Sequence, residues 1–132
     1  MSSKASSTCS LQNIKSGQIM TISAVSACGS TGTIVVKDDS KTYATFNKTS
    51  TSVNYQYLGN ASEMYTGGKN LRVEINIAHS SLQIAIKAIV SNNNLVDSKG
   101  NTIGTVYVIA IEEWTDNDYN DYVITITATK SE

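Results

Sequence analysis

Residues 71–77 read LRVEINI, a strict alternation of apolar and polar side chains. Successive side chains of a β-strand point to opposite faces, so this pattern predicts a strand with one buried and one exposed face. Similar runs occupy residues 19–25, 33–37, 42–46, 53–58, 82–90, 103–111 and 122–128, with a weaker one at residues 9–14. The alternation predicts about nine strands and leaves little room for helices.

Turn-forming residues separate these runs, at residues 16–17, 28–32, 37–40, 67–68, 91–94 and 98–101. Short strands joined by local turns are typical of a sandwich. We therefore predict an all-β fold, a single antiparallel β-sandwich that forms one domain over residues 1–132. The runs at residues 82–90 and 103–111 are the most continuously apolar, which predicts central positions in a sheet. Residues 82–90 also fit the period of a short helix.

The composition narrows the class of protein. With 132 residues and 40% hydrophobic residues, the chain can bury a core and is not disordered. A net charge of −1 gives no basic surface for nucleic acid, and no apolar run reaches the length of a membrane span. The start, MSSKASSTCS, lacks the apolar stretch of a signal peptide. We expect a chain that is cytoplasmic as made, with release or cell-surface display as alternatives.

The two cysteines fit two interpretations equally well. Cys9 and Cys28 either form a disulfide or remain two reduced thiols. A zinc site is disfavoured, because these cysteines and the single histidine, His79, lack a recognised ligand spacing.

Negative charge is concentrated in the segment EEWTDNDYND at residues 112–121, which holds five of the eleven acidic residues and no lysine or arginine. Residues 116, 118 and 120 would share one side of an extended segment, so their oxygens converge. Two carboxylates about 4 Å apart repel by roughly 4 kcal/mol at an effective dielectric constant of about 20. The segment is either a solvated loop or, as we predict, a cation site.

The predicted ligands are all hard oxygen donors. Such donors favour calcium over zinc or copper, and magnesium is the second most favoured ion. They are Glu112, Asp116, Asp118, Asn120 and Asp121. These oxygens are numerous enough to serve two adjacent ions through shared carboxylates. An EF-hand is excluded, because its glycine at loop position 6 and glutamate at position 12 correspond here to Asp121 and Thr127.

Glu112 and the run TDNDYND at residues 115–121 resemble the signature of the two-calcium bacterial fucose- and mannose-binding lectins, the fucose-binding lectin II family. The core motif is specific. Outside this motif the similarity is limited to the general pattern of residues. It covers residues 18–26, 33–46, 71–77 and the last predicted strand. The resemblance implies a β-sandwich in which two neighbouring calcium ions directly coordinate the hydroxyls of a monosaccharide of the fucose or mannose type.

The resemblance also implies a role for individual residues. One ion would be held by Glu112, Asp116, Asp118 and Asp121, and the other by Asp118, Asn120 and Asp121, with the main-chain carbonyl of Ala27 completing the metal site. The implied sugar-binding residues are Glu113, Asp116, Asp118, Asn120, Asp121, Cys28 and Gly29. Among these, Glu113 would accept a hydrogen bond from the sugar, and Cys28 and Gly29 belong to the loop that tunes sugar choice.

Three features depart from the family, and one of them is the loop that tunes sugar choice, which aligns with Cys28-Gly29-Ser30 and is poorer in hydroxyls than is typical. Family members usually end in a glycine whose carboxylate enters the neighbouring subunit's calcium site, whereas this chain ends Lys130-Ser131-Glu132. That contribution, and the dimer that it supports, stay open. Trp114 stands where the family has a glycine, and stacking on a sugar, blocking the site and plain packing are all open to it.

We therefore expect a calcium-dependent lectin that binds a monosaccharide or glycan, with no nucleic acid partner and no membrane insertion. We also expect a homo-oligomer, either a dimer or a tetramer. Several weak sites could then bind one glycan surface at the same time. The alternative is a structural or adhesive sandwich in which calcium only staples the acidic loop. An enzyme is disfavoured, because the candidate acids would be occupied as ligands and nothing positions His79 for catalysis.

Overall fold

The computed structural model of the chain describes residues 3–79, 86–112 and 119–130. These residues form nine strands and, within the described ranges, no helix. The strands are β1 (Ser3–Ser10), β2 (Gln18–Ser26), β3 (Gly32–Lys37), β4 (Thr42–Lys48), β5 (Gln56–Met64), β6 (Arg72–His79), β7 (Lys87–Val96), β8 (Thr102–Glu112) and β9 (Tyr122–Lys130). The predicted all-β class and strand number are confirmed. None of the elements described is a helix long and apolar enough to span a membrane.

The strands form two antiparallel sheets that share one core. One sheet has four strands in the order β1-β6-β3-β4, and the other has five in the order β5-β2-β9-β8-β7. The predicted antiparallel sandwich is therefore confirmed. Its centre is built from isoleucines of both sheets, including Ile34, Ile75, Ile109 and Ile124, all 0% exposed. Full burial of such a side chain contributes about 1.5–3 kcal/mol.

Strand β6 shows how the alternation produces the fold. Val73, Ile75 and Ile77 are fully buried, whereas the outward-facing Asn76 is exposed. On both sides β6 is paired, with β1 and β3, so its main-chain polar groups are satisfied within the sheet.

The prediction of a central strand at residues 82–90 is wrong for the residues that the structure describes. Strand β7 begins at Lys87 and lies at the edge of the five-stranded sheet, with Ile89 and Val90 51% and 46% exposed. As an edge strand β7 is paired on one side only, with β8, and its apolar side chains remain exposed. Residues 82–85 lie outside the described residues, and the described part of the run contains no helix. Strand β8 lies between β9 and β7, which confirms an interior position for residues 103–111.

The turn predicted at residues 91–94 is also wrong. These residues continue β7, where Asn92 pairs with Tyr107 and Asn94 with Thr105. The Asn92 side chain donates hydrogen bonds to Thr105 Oγ1 (2.6 Å) and to the Val106 carbonyl (3.1 Å). Pairing with β8 thus overrides the turn preference of the asparagines.

Both cysteines are buried thiols, and the structure contains neither in a disulfide. Of the two interpretations, the structure therefore matches the reduced one. Cys9 lies in β1, and Cys28 follows β2, in the opposite sheet. Burial raises the pKa of the Cys9 thiol, and a hydrogen bond with the Ser7 side chain only partly offsets this.

Candidate functional site

The end of β8 and the start of β9 bring two predicted ligands together. Glu112 is the last residue of β8, and Asp121 immediately precedes β9. The Asp121 main-chain N–H donates a hydrogen bond to the Ile111 carbonyl (3.1 Å), which extends the ladder between these strands to the edge of the acidic loop. Glu112 is 0% exposed and Asp121 is 6% exposed, so both acidic residues are buried at this end of the sandwich.

Tyr119 connects the loop to Glu112. Its main-chain N–H donates a hydrogen bond to Glu112 Oε1 (3.0 Å). Its φ angle is 52°, in the left-handed region that non-glycine residues adopt only when the surroundings hold them there. The contact fixes the orientation of the Glu112 carboxylate before any ligand binds.

The loop that follows β2 reaches the same place. The Ala27 N–H and the Ser26 hydroxyl both donate hydrogen bonds to the Asp121 carbonyl, at 3.2 and 2.7 Å. Ala27, Asp121 and Glu112 therefore lie at one end of the five-stranded sheet, where β2, β9 and β8 are neighbours. The structure brings together these three predicted metal ligands, with Asn120 exposed beside them.

The other predicted loop ligands, Asp116 and Asp118, and the predicted sugar acceptor Glu113 lie outside the described residues, as does Trp114. Within the described ranges no group of three or more histidine, cysteine, aspartate or glutamate side chains is placed to hold a metal. The described donors are the carboxylates of Glu112 and Asp121, the Asn120 amide oxygen and the Ala27 carbonyl. All are oxygens, and such a donor set fits calcium.

Cys28 and Gly29, predicted to contact sugar, differ in what they present. The Cys28 side chain is 5% exposed, lies 3.6 Å from the Ser26 hydroxyl and donates to the Ser30 carbonyl (3.6 Å). The Tyr122 hydroxyl donates to the same carbonyl at 2.8 Å, which anchors the loop to β9. Gly29 is exposed, so its backbone is the accessible part of this pair.

A second loop packs against Gly29. A Cβ atom on Gly29 would lie 3.2 Å from Val53 Cγ1 and 3.5 Å from the Thr51 carbonyl oxygen. The absence of a side chain at Gly29 therefore allows the loop that follows β4 to approach closely, and the two loops together line this end of the sandwich.

Lys48 holds that second loop in place. Its side chain is buried, 1% exposed, and its Nζ donates hydrogen bonds to the carbonyls of Ser50 and Ser52, the latter at 3.3 Å. Reasoning from the sequence missed this residue. A signal was present, because Lys48 continues the inward-facing side of β4 after Ala44 and Phe46, and an inward lysine at a strand end needs acceptors nearby.

Comparison with known proteins identifies the fold. No protein-family model matches the chain, and no curated protein sequence matches it. Among solved structures, the C-terminal domain of the lectin BC2L-C from Burkholderia cenocepacia is similar, with a TM-score of 0.58 and 19% identity over 96% of this chain and 97% of that chain.

Two further lectins are similar over most of their length. The Chromobacterium violaceum lectin CV2L, solved in complex with α-methyl-fucoside, has a TM-score of 0.56 and 17% identity over 91% of this chain and 93% of that one. The high-affinity mannose-binding lectin of Ralstonia solanacearum has a TM-score of 0.57 and 21% identity over 91% and 93%. The chain thus has a β-sandwich fold of the lectin type. More narrowly, it has the fold of these bacterial lectins, as the motif at residues 112–121 predicted.

Proposed function

We propose that this chain is a calcium-dependent carbohydrate-binding lectin in which two adjacent calcium ions directly coordinate the hydroxyls of a monosaccharide of the fucose or mannose type. The observation that carries the proposal is the convergence of Glu112, Asp121 and Ala27 at one end of a sandwich with this fold. Two structures with the same fold are described as a complex with a fucoside and as a mannose-binding lectin.

The acidic segment supplies the metal ligands in this proposal. Glu112, Asp116, Asp118 and Asp121 would hold one ion, and Asp118, Asn120 and Asp121 the other, together with the Ala27 carbonyl. Calcium accepts 6–8 oxygen ligands, so sugar hydroxyls can complete its coordination. Asp118 and Asp121 would lie between the two ions, where their negative charge offsets the repulsion between the cations.

The protein groups around the ions would select the sugar. Carboxylates that bind metal also accept charge-assisted hydrogen bonds from coordinated hydroxyls, and Glu113 would add another acceptor. The exposed backbone of Gly29 leaves room for a sugar ring to approach. A wrong epimer would leave an acceptor unsatisfied, and such a loss costs about 1–3 kcal/mol.

A glycan array probed with and without chelator tests the function. A sugar signal that disappears with chelator supports the lectin. If chelator lowers the melting temperature while no glycan binds under any condition, calcium only staples the acidic loop and the chain is a structural or adhesive sandwich.

Calcium should also stabilise the fold. At a free concentration about a hundredfold above its dissociation constant, a ligand that binds only the folded state adds roughly 2.7 kcal/mol to the free energy of unfolding. We expect thermal unfolding followed by circular dichroism to shift upward with calcium and to return with chelator, whereas magnesium at equal concentration gives a smaller shift. Identical melting curves in calcium and in chelator would contradict the metal site.

Lys48 should influence sugar binding through the loop that it holds. Replacing Lys48 with methionine keeps the aliphatic part of the side chain but removes the donor to the Ser50 and Ser52 carbonyls. We expect a loss of about 1 kcal/mol in unfolding free energy and a several-fold weaker affinity for sugar, measured by calorimetry in saturating calcium.

The matched control is Lys99→Met. Lys99 is exposed in the turn between β7 and β8, at the opposite end of the sandwich. Its replacement should leave both quantities unchanged. Equal sugar affinities for the two variants would show that Lys48 does not position the site.

A further inference from the structure

An open cavity of about 750 Å³ lies on the four-stranded sheet, at the end of the sandwich that carries the candidate site. It is lined where β3 begins and where β4 and β6 end. The lining residues Lys48 and Ile77 are buried, so the cavity opens on the outer face of the sheet, towards which Thr33, Asn47 and Asn76 point. Its volume falls within the range of about 300–1,000 Å³ of small-molecule sites. We call it the side cavity.

A row of polar side chains crosses the side cavity. In the strand register Thr33 of β3 pairs with Asn47 of β4 on one side and with Asn76 of β6 on the other. With strands about 4.8 Å apart the row spans roughly 10 Å, enough for a sugar ring and its hydroxyl groups. Thr33 Oγ1 donates a hydrogen bond to Asn47 Oδ1 (3.2 Å), whereas the Asn76 side chain makes no hydrogen bond to the residues that the structure describes. Most donors and acceptors of the row are therefore available to a ligand.

The side cavity and the candidate site share two loops. Thr31, which lines the cavity, lies two residues after Gly29, and Thr49, which also lines it, lies two residues before Thr51. Two residues of chain span at most about 7 Å. Both loops connect one sheet to the other, so each leads from the side cavity across the end of the sandwich to the candidate site. A ligand that extends beyond a sugar at Gly29 in this direction meets the side cavity next.

The charges around the side cavity favour a neutral ligand. Of the lining residues that the structure describes, only Lys48 is charged. Its side chain is 1% exposed, and its Nζ donates to the carbonyls of Ser50 and Ser52, so the ammonium group is engaged within the protein. The hydroxyl and amide groups that remain are both donors and acceptors, as sugar hydroxyls are. An acidic sugar would lose hydration here without gaining an ion pair.

We propose that the side cavity is a second carbohydrate subsite, which binds the neutral sugar residue linked to the monosaccharide at the calcium ions. The inference rests on the proposed function, because the sugar held at the candidate site directs the next residue into the cavity. The preferred ligand is then an oligosaccharide that ends in fucose or mannose. Each net hydrogen bond contributes a factor of roughly 2–12 to affinity, so two of them should strengthen binding about tenfold.

The test compares sugars of one and two residues by calorimetric titration of the full chain in saturating calcium. The probes are the methyl α-glycosides of fucose and mannose, and neutral disaccharides in which the same sugar is α-linked through each hydroxyl of a second hexose. We expect at least one disaccharide to bind the wild type about tenfold more tightly than its methyl glycoside. The double variant Asn47→Ala, Asn76→Ala should lose this advantage and bind the methyl glycosides as the wild type does.

Thr45→Val is the matched control. Thr45 is exposed on the same face of β4 but does not line the side cavity, so its replacement should keep the advantage of the disaccharide. If circular dichroism shows that the double variant does not fold, Asn47→Ala alone makes the same test at an exposed position of the edge strand β4.

Two results would overturn the subsite and leave the proposed function intact. One is a wild type that binds a methyl glycoside but no disaccharide more tightly. The other is a folded variant that keeps the full advantage of the disaccharide. A wild type that binds none of these sugars in saturating calcium would overturn the proposed function and the subsite together.

Discussion

Asp121→Asn and Asp118→Asn are each expected to abolish calcium-dependent sugar binding. In the proposed two-ion site both carboxylates would bridge the ions, so either substitution would remove one negative charge from the coordination of both. Calcium affinity follows the number of charged ligands, so we expect a loss on the order of 100-fold or more. Calorimetric titration with calcium, followed by titration with α-methyl-fucoside and with mannose, measures both steps.

Asp121→Asn is informative because asparagine matches aspartate in size and keeps the main-chain atoms that bond to Ile111, Ala27 and Ser26. The variant should fold in chelator, and its circular dichroism spectrum checks this. The control is Asp97→Asn, in the turn between β7 and β8 at the other end of the sandwich. Near-normal sugar affinity in both Asp118→Asn and Asp121→Asn would refute the two-ion arrangement.

The approach of Glu112 and Asp121 was predictable, because the two strands that flank the acidic segment are visible in the alternation of the sequence and pair with each other. Ala27 is different. It is 94 residues distant from Asp121 in sequence, and only the pairing of β2 with β9 brings them together. The resemblance suggested Ala27, whereas no local pattern would have done so.

The failures of the sequence analysis have a common physical cause. An apolar run such as residues 82–90 does not by itself predict a central strand, and its described part belongs to β7, which lies at the edge of its sheet with Ile89 and Val90 exposed. The asparagines at residues 92–94 pair with β8 and lie within a strand, although asparagine by itself favours turns. Lys48 was missed for a related reason, since its acceptors are carbonyls, which no sequence pattern distinguishes. Each miss concerns a partner that is set by tertiary structure.

Asp38→Ala is expected to cause a large loss of stability at a position remote from the candidate site. Asp38 is 1% exposed in the turn between β3 and β4. Its Oδ1 accepts hydrogen bonds from the N–H groups of Ser40 (2.7 Å) and Lys41 (2.8 Å), and its Oδ2 accepts one from the Tyr43 hydroxyl (2.6 Å). Alanine would leave these donors without their acceptor, at a total cost of about 3 kcal/mol.

The loss would be measured by urea denaturation, with Asp97→Ala as the control. Asp97 accepts the same type of hydrogen bonds, from Lys99 and Asn101, but in an exposed turn where water can replace it. Its substitution should therefore cost much less. The same unfolding free energy for the two variants would show that the buried network around Asp38 contributes nothing beyond an ordinary turn.

The pH dependence of the unfolding free energy distinguishes the contribution of the negative charge of Asp38 from that of its shape. Burial acts to raise the pKa of this carboxyl, but hydrogen bonds from Tyr43 and from the N–H groups of Ser40, Lys41 and Gly68 outweigh it and lower the pKa below its usual value. A carboxylate whose pKa is lower in the folded state stabilises the fold above its unfolded pKa of about 3.9, and this stabilisation is lost as the pH falls through the folded pKa. We expect the unfolding free energy of the wild type to decline more steeply below about pH 4 than that of Asp38→Asn, which has no proton to gain. Parallel pH profiles for the two proteins, measured in chelator to exclude calcium release, would mean that Asp38 acts through its shape alone.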